Sequence, residues 1–261
     1  MKDRGMPRAL FDQIEHLTRR READDGYTVH PGSVLFAANA ASTPYEVGHG
    51  VHRHLDIAID HLMAIKLLAV DAGTIPTYGA FTLLRAAVEN FASAMWLLRG
   101  EDTKERVLRE LQFQAANLKA LTIAEALAAA AQQRSATDVD GRLDLIRQVA
   151  GRNGLTMRAV ERRADWRRIV QSLGFGAGTE ATAEFLWKTC SAFAHGDPWP
   201  SRTFLDHEEL PTSTDTVVEL RVTASLPSLT PMLQLALSMA DLVLRTFDAM
   251  RVPARDSAAT R

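Results

Sequence analysis

Residues 81–98 read FTLLRAAVENFASAMWLL, and their spacing decides the fold. Almost every position is apolar, yet Thr82, Arg85, Glu89 and Ser93 recur at intervals of three and four, so on an α-helix they share one face. A helix that is apolar around most of its circumference belongs at the centre of a bundle, and charges carried on it need partners. Working outward, Gly100 ends this segment, and Gly73 with Pro76 separates it from a preceding helix over about 44–72. Leu55, Ile59, Leu62, Ile65 and Leu68 form that helix's apolar stripe. A further long helix over 102–133 turns alanine-rich in its second half, where helix propensity is high.

The remaining pattern is also helical. Pro7 opens an amphipathic helix to about residue 21, followed by a turn-rich stretch over 24–42. Shorter helices are expected over 141–151 and 165–173. After the glycine-rich turn 174–178, Thr179 and Glu180 suit the first turn of a helix that runs to His195. Its end, LWKTCSAFAHGDPW over 186–199, places the histidine in the last turn, with Gly196 beyond it and Pro198 as a stop. Val218, Leu220, Val222 and Ala224 then alternate with polar residues, the period of a half-buried strand, with residues 202–205 as its expected hairpin partner. Helix returns over 227–250. The sum is an all-α multi-helix bundle of about seven or eight helices with a short β-hairpin excursion near 202–224, forming one domain over 1–250 with a flexible tail at 251–261.

Composition narrows the partners. The 261 residues are 46% hydrophobic and 24% charged, and thirty basic against thirty-two acidic residues give a formal charge of −2, so no global field favours nucleic acid. The single cysteine, Cys190, excludes an intrachain disulfide framework, and charges begin at Lys2 where a signal peptide would need an apolar run. A cytoplasmic protein is expected. The best apolar run is interrupted by Arg85 and Glu89, so no membrane association is expected.

Four groups of residues could carry chemistry. Arg85 and Glu89 are four positions apart and can pair within their helix; between helices Arg85 would hold an anionic group, and Glu89 would be a carboxylate for acid–base work. If the pair is buried, removing Glu89 should cost roughly 3–5 kcal/mol. His195 sits at a helix end, an open position for an imidazole acid or base, and Ser191, one turn earlier, could hydrogen-bond its ring. His49, His52, His54 and His61 lack the i, i+4 spacing of a helical metal pair, so no metal and no cofactor are expected, and His61 is the one expected to face the central helix and any ligand there. The basic cluster of Arg158, Arg162, Arg163, Arg167 and Arg168 surrounds Trp166, an arrangement that could grip phosphates while the indole stacks on a base, although Glu161 and Asp165 dilute it.

Arg-Ala-Ala-Val-Glu at 85–89, followed by Trp96-Leu97-Leu98 and later by Ser191-Ala-Phe-Ala-His195-Gly196, resembles a family of bacterial all-helical proteins distantly similar to the HEPN superfamily. Many members of that superfamily are ribonucleases of toxin–antitoxin and antiviral systems. The resemblance implies an active site of an arginine and a histidine near a helix end, duplicated across a homodimer. His195 matches the histidine; Lys188, with six residues between, stands where the family has arginine.

Together these readings lead to an interhelical polar pocket of Arg85, Glu89, Ser191, His195 and His61 that binds or acts on a small polar ligand, with Glu89 and His195 as the acid–base groups. A HEPN-like ribonuclease using Lys188, Arg162, Arg163, Trp166 and Arg167 on RNA is the alternative, and a non-catalytic interaction module the third reading. Apolar surplus on residues 115–131 and 233–244 predicts a homodimer.

Overall fold

A computed structural model describes residues 6–23, 25–130, 138–174, 179–211 and 218–253. It is all-α apart from one two-stranded sheet. The helices are α1 (Arg8–Glu22), α2 (Val34–Ser42), α3 (Val47–Lys66), α4 (Gly79–Leu98), α5 (Thr103–Ala130), α6 (Val139–Arg152), α7 (Met157–Val160), α8 (Trp166–Gln171), α9 (Thr179–His195), α10 (Pro198–Phe204) and α11 (Leu226–Arg251). A π-helical turn, Leu67–Asp71, extends α3. The strands β1 (Leu205–Leu210) and β2 (Glu219–Ala224) pair antiparallel, with Leu205 opposite Ala224 and Leu210 opposite Glu219.

Eleven helices stand where seven or eight were expected, and the three additions are short. α2 lies in the stretch read as turns: Ser33 caps it by accepting a hydrogen bond from the Phe36 N–H at 3.1 Å, so nine residues between Gly32 and Pro44 suffice. α10 begins on Pro198, the residue expected to stop the chain; it takes the first helical position, where a missing N–H costs nothing. Consequently β1 starts at Leu205 rather than Arg202, while β2 shows the expected alternation of half-buried and exposed side chains. The side chains of Thr179 and Glu180, expected to suit the first turn of α9, and residues 254–261 of the expected tail are not among the parts the structure describes.

The chain divides into two compact units. The first comprises Met1–Gly26, His54–Ser93 and Val170–Leu244. In it α1 buries Leu10, Phe11, Ile14 and Leu17 along one stripe, and Lys66 Nζ ties α3 to Glu15 of α1 at 3.0 Å. Within α4, Phe81, Leu84, Ala87, Val88 and Phe91 are fully buried. α9 presents Ala183, Leu186, Cys190 and Phe193 at helical spacing, all buried, and Phe193 stacks on Phe81 with ring centroids 4.0 Å apart. That stack fixes the register of α9 against α4.

The second unit comprises Tyr27–Arg53, Ala94–Ile169 and Arg245–Arg261. Here α5 packs against α2, α6 and α7 around a core of Val107, Leu111, Leu118, Ile146, Val149, Ala150 and Val160. Asn153 Nδ2 donates to the Ala41 carbonyl at 2.9 Å, and Gln112 Nε2 to the Ala159 carbonyl at 3.0 Å, locking these connections.

Among the described residues α11 alone is long and apolar enough to cross a membrane. Core helices pass the same test, and Leu229, Leu233, Ala236, Leu237, Ala240 and Val243 of α11 are buried within this chain.

Candidate functional site

The polar face of α4 emerges from the core gradually. Ser93 is buried and returns its hydroxyl to the Glu89 carbonyl at 2.9 Å, Glu89 and Arg85 are half-buried with side chains 24% and 26% exposed, and Thr82 is exposed. The pair therefore sits at the edge of the core, not within it as the fully apolar surroundings had suggested. Arg85 Nε donates to Glu89 Oε1 at 3.0 Å, and Trp187 Nε1 of α9 donates to the same oxygen at 2.9 Å. One carboxylate oxygen thus anchors the guanidinium and joins two helices.

α9 delivers the histidine to this edge. Its end is closed by Gly196 at φ +78°, with the Gly196 N–H on the Phe193 carbonyl at 3.3 Å and the Asp197 N–H on the Ala192 carbonyl at 2.9 Å. This paired closure needs a left-handed residue directly after His195, which glycine supplies. His195 is exposed, and its Nε2 lies 3.4 Å from Arg85 Nη1. A guanidinium only donates, so Nε2 is the acceptor in this contact. Beyond the helix end, Tyr78, Phe193, Asp197, Ser201 and Arg202 line a cleft of about 320 Å³.

Arg85, Glu89 and His195 come together, then, with Trp187 as a fourth member. Trp187, Ser191 and His195 recur every four residues on α9, the signal from which the tryptophan could have been read. Ser191 is half-buried between them, but it is Arg85 that meets the ring. His61 is half-buried on α3; the hydrogen bond from α3 to α4 is made instead by His54, whose Nδ1 lies 2.8 Å from Asn90 Oδ1. His49 approaches Glu46 at 3.7 Å and His52 stacks on Tyr27 at 4.3 Å. Among the described residues no three potential metal ligands cluster.

Cys190 is not a competing nucleophile. Burial pushes its thiol up to about 12, against a smaller opposite pull from the Arg85 charge, so it stays protonated. Lys188 is exposed and paired with Glu184 at 3.1 Å, while the other Glu184 oxygen accepts from Gln171 Nε2 at 3.0 Å. Arg162, Arg163 and Arg167 are exposed and Trp166 is half-buried; Asp165 caps α8 by accepting from the Arg167 N–H at 3.0 Å.

Compared with protein-family models, with curated proteins and with solved structures, the chain matches none.

Proposed function

We propose that the protein binds a small polar anion at the edge of α4 and α9, with Arg85 as its charged anchor and His195 as the group that can exchange a proton with it. The observation that carries this reading is the 3.4 Å approach of Arg85 Nη1 to His195 Nε2, between residues 110 positions apart. Glu89 spends one oxygen on Arg85 Nε and Trp187 Nε1, which pre-orients the guanidinium and leaves other guanidinium donors toward solvent. An oxyanion entering between the two replaces the Arg85–His195 contact, accepting from Arg85 Nη1 and from His195 when the ring carries its proton on Nε2. Half-burial favours such a site, since a fully exposed arginine would bind weakly and a fully buried one could not be reached.

Thermal stabilisation by succinate tests this. Succinate should raise the melting temperature of the wild type, and Arg85→Ala and His195→Ala should each abolish that rise while keeping a helical circular dichroism spectrum. Stabilisation that survives both substitutions overturns the reading. Metal-free cleavage of single-stranded RNA, lost in Lys188→Ala and in His195→Ala, would favour the ribonuclease reading instead. No cleavage is expected, because Lys188 is tied to Glu184 and the chain carries no net basic field.

A further inference from the structure

A second polar cleft lies wholly within the unit that holds α5 to α7. It has a volume of about 470 Å³, within the range that holds small ligands, and its walls come from the end of α4, the first half of α5 and the segment 159–168. Four guanidiniums line it, those of Arg109, Arg162, Arg163 and Arg168, against two carboxylates, Glu105 and Asp165.

Both carboxylates are already engaged. Glu105 Oε1 accepts from Arg109 Nη2 at 2.6 Å and Glu105 Oε2 from the Glu101 N–H at 2.7 Å, while Asp165 Oδ1 accepts from the Arg167 N–H at 3.0 Å. Arg162, Arg163 and Arg168 are exposed and have no carboxylate partner among the described residues. Arg109 is different in kind: its side chain is only 10% exposed, it lies over the Trp96 ring at 3.8 Å, and its Nη1 donates to the Trp96 carbonyl. Behind the cleft wall two N–H groups, Arg109 Nε and Trp96 Nε1, are buried without an acceptor. With Glu105 paired to Arg109 and Asp165 set against three unpaired guanidiniums, the cleft keeps an excess of positive charge and of donors, which favours one kind of occupant, a multiply charged oxyanion.

We infer that this cleft binds the phosphate groups of a small organic phosphate such as a nucleoside diphosphate. The planar forks of Arg162, Arg163 and Arg168 match phosphate oxygens, while Arg109, held rigid by Glu105 and Trp96, supplies a fixed positive charge at the cleft wall. One face of Trp96 is already covered by Arg109, so recognition falls on the phosphates and not on stacking of a base. The site shares no residue with the Arg85–His195 edge and does not depend on it.

Isothermal titration of the full chain with pyrophosphate, with ADP and with a 5′-phosphorylated single-stranded RNA tests the inference and separates the two sources of phosphate. Pyrophosphate and ADP should bind with similar affinity, and both should weaken at least tenfold in the Arg162→Ser/Arg163→Ser double variant. Those side chains are exposed and tie no elements together, so the variant should keep the wild-type melting temperature. Arg109→Lys, which keeps the charge but loses the fork, should weaken binding without abolishing it. Absence of pyrophosphate and ADP binding, binding of the RNA alone, or affinity unaffected by the double variant would each overturn the inference.

Discussion

Glu89 receives two hydrogen bonds on a single oxygen, so its truncation strands a guanidinium and an indole N–H at once. Because the Arg85–Glu89 pair is about a quarter exposed, solvent takes up part of that loss. The expected cost of Glu89→Ala is therefore about 1–3 kcal/mol, below the 3–5 kcal/mol of a fully buried pair. Denaturant unfolding checks it, and a change under about 0.5 kcal/mol, the range of an ordinary surface substitution, would count against the shared hydrogen bond. At this scale the sequence was informative where chemistry depends on local spacing. Arg85 and Glu89 were legible as i, i+4 neighbours and His195 as the residue before a helix-closing glycine. Trp187 shows in the sequence only its alignment with Ser191 and His195, because its partner lies on another helix 98 residues away. His61 was expected to face α4 and His54 makes the bond for a related reason: seven residues apart, they lie on nearly the same face of α3, and only the register against Asn90 chooses between them.

At the scale of elements, α5 shows how packing overrides a local reading. A glutamate on a long helix reads as solvated, yet Glu110 is buried where a Cβ on Gly50 of α3 would lie 2.2 Å from its Oε2. Burial raises the Glu110 carboxyl to about 7 from 4.5, opposed by the hydrogen bond from Gln114 and by the Arg53 charge. The folded chain thus holds this proton to higher pH than the unfolded one. The protonated group's contribution is fully present below about pH 4.5 and is lost as pH rises through about 7. Glu110→Gln keeps an acceptor for Gln114 and removes the charge. It should stabilise the protein by about 2–3 kcal/mol at pH 8 and by little near pH 4.5, read from melts at the two pH values. A gain independent of pH would contradict the buried titration. The short elements escaped the sequence for a different reason. α2 and α10 are each bounded by proline and turn residues, and the signals that stop one helix are those that start the next.

At the scale of the whole molecule, the two segments expected to carry surplus apolar surface differ. On α11 the apolar positions of the 233–244 stretch are mostly buried within the chain, which removes that part of the argument for a dimer. The second half of α5 remains open, with Ile123 55% and Leu127 68% exposed. A second copy of the chain is the partner expected there. Light scattering at low micromolar concentration should give a dimer that dissociates in Ile123→Glu/Leu127→Glu; a monomer of 28.7 kDa in the wild type would remove that expectation. The bundle itself followed from the near-continuous apolarity of α4 and from the 3.6-residue stripes, which report burial directly. Convergence of Arg85, Glu89 and His195 was expected, but its geometry depends on the Phe81–Phe193 stack that sets the register of α4 and α9, which spacing along one helix does not show.

The central claim is that the Arg85–His195 edge is a ligand site. Side-chain NMR of the His195 imidazole during titration with succinate and with inorganic phosphate tests it most directly. Saturable shifts of the His195 ring resonances, absent in Arg85→Ala, are expected; resonances that stay in place up to millimolar anion, or that shift equally in Arg85→Ala, would rule out the site.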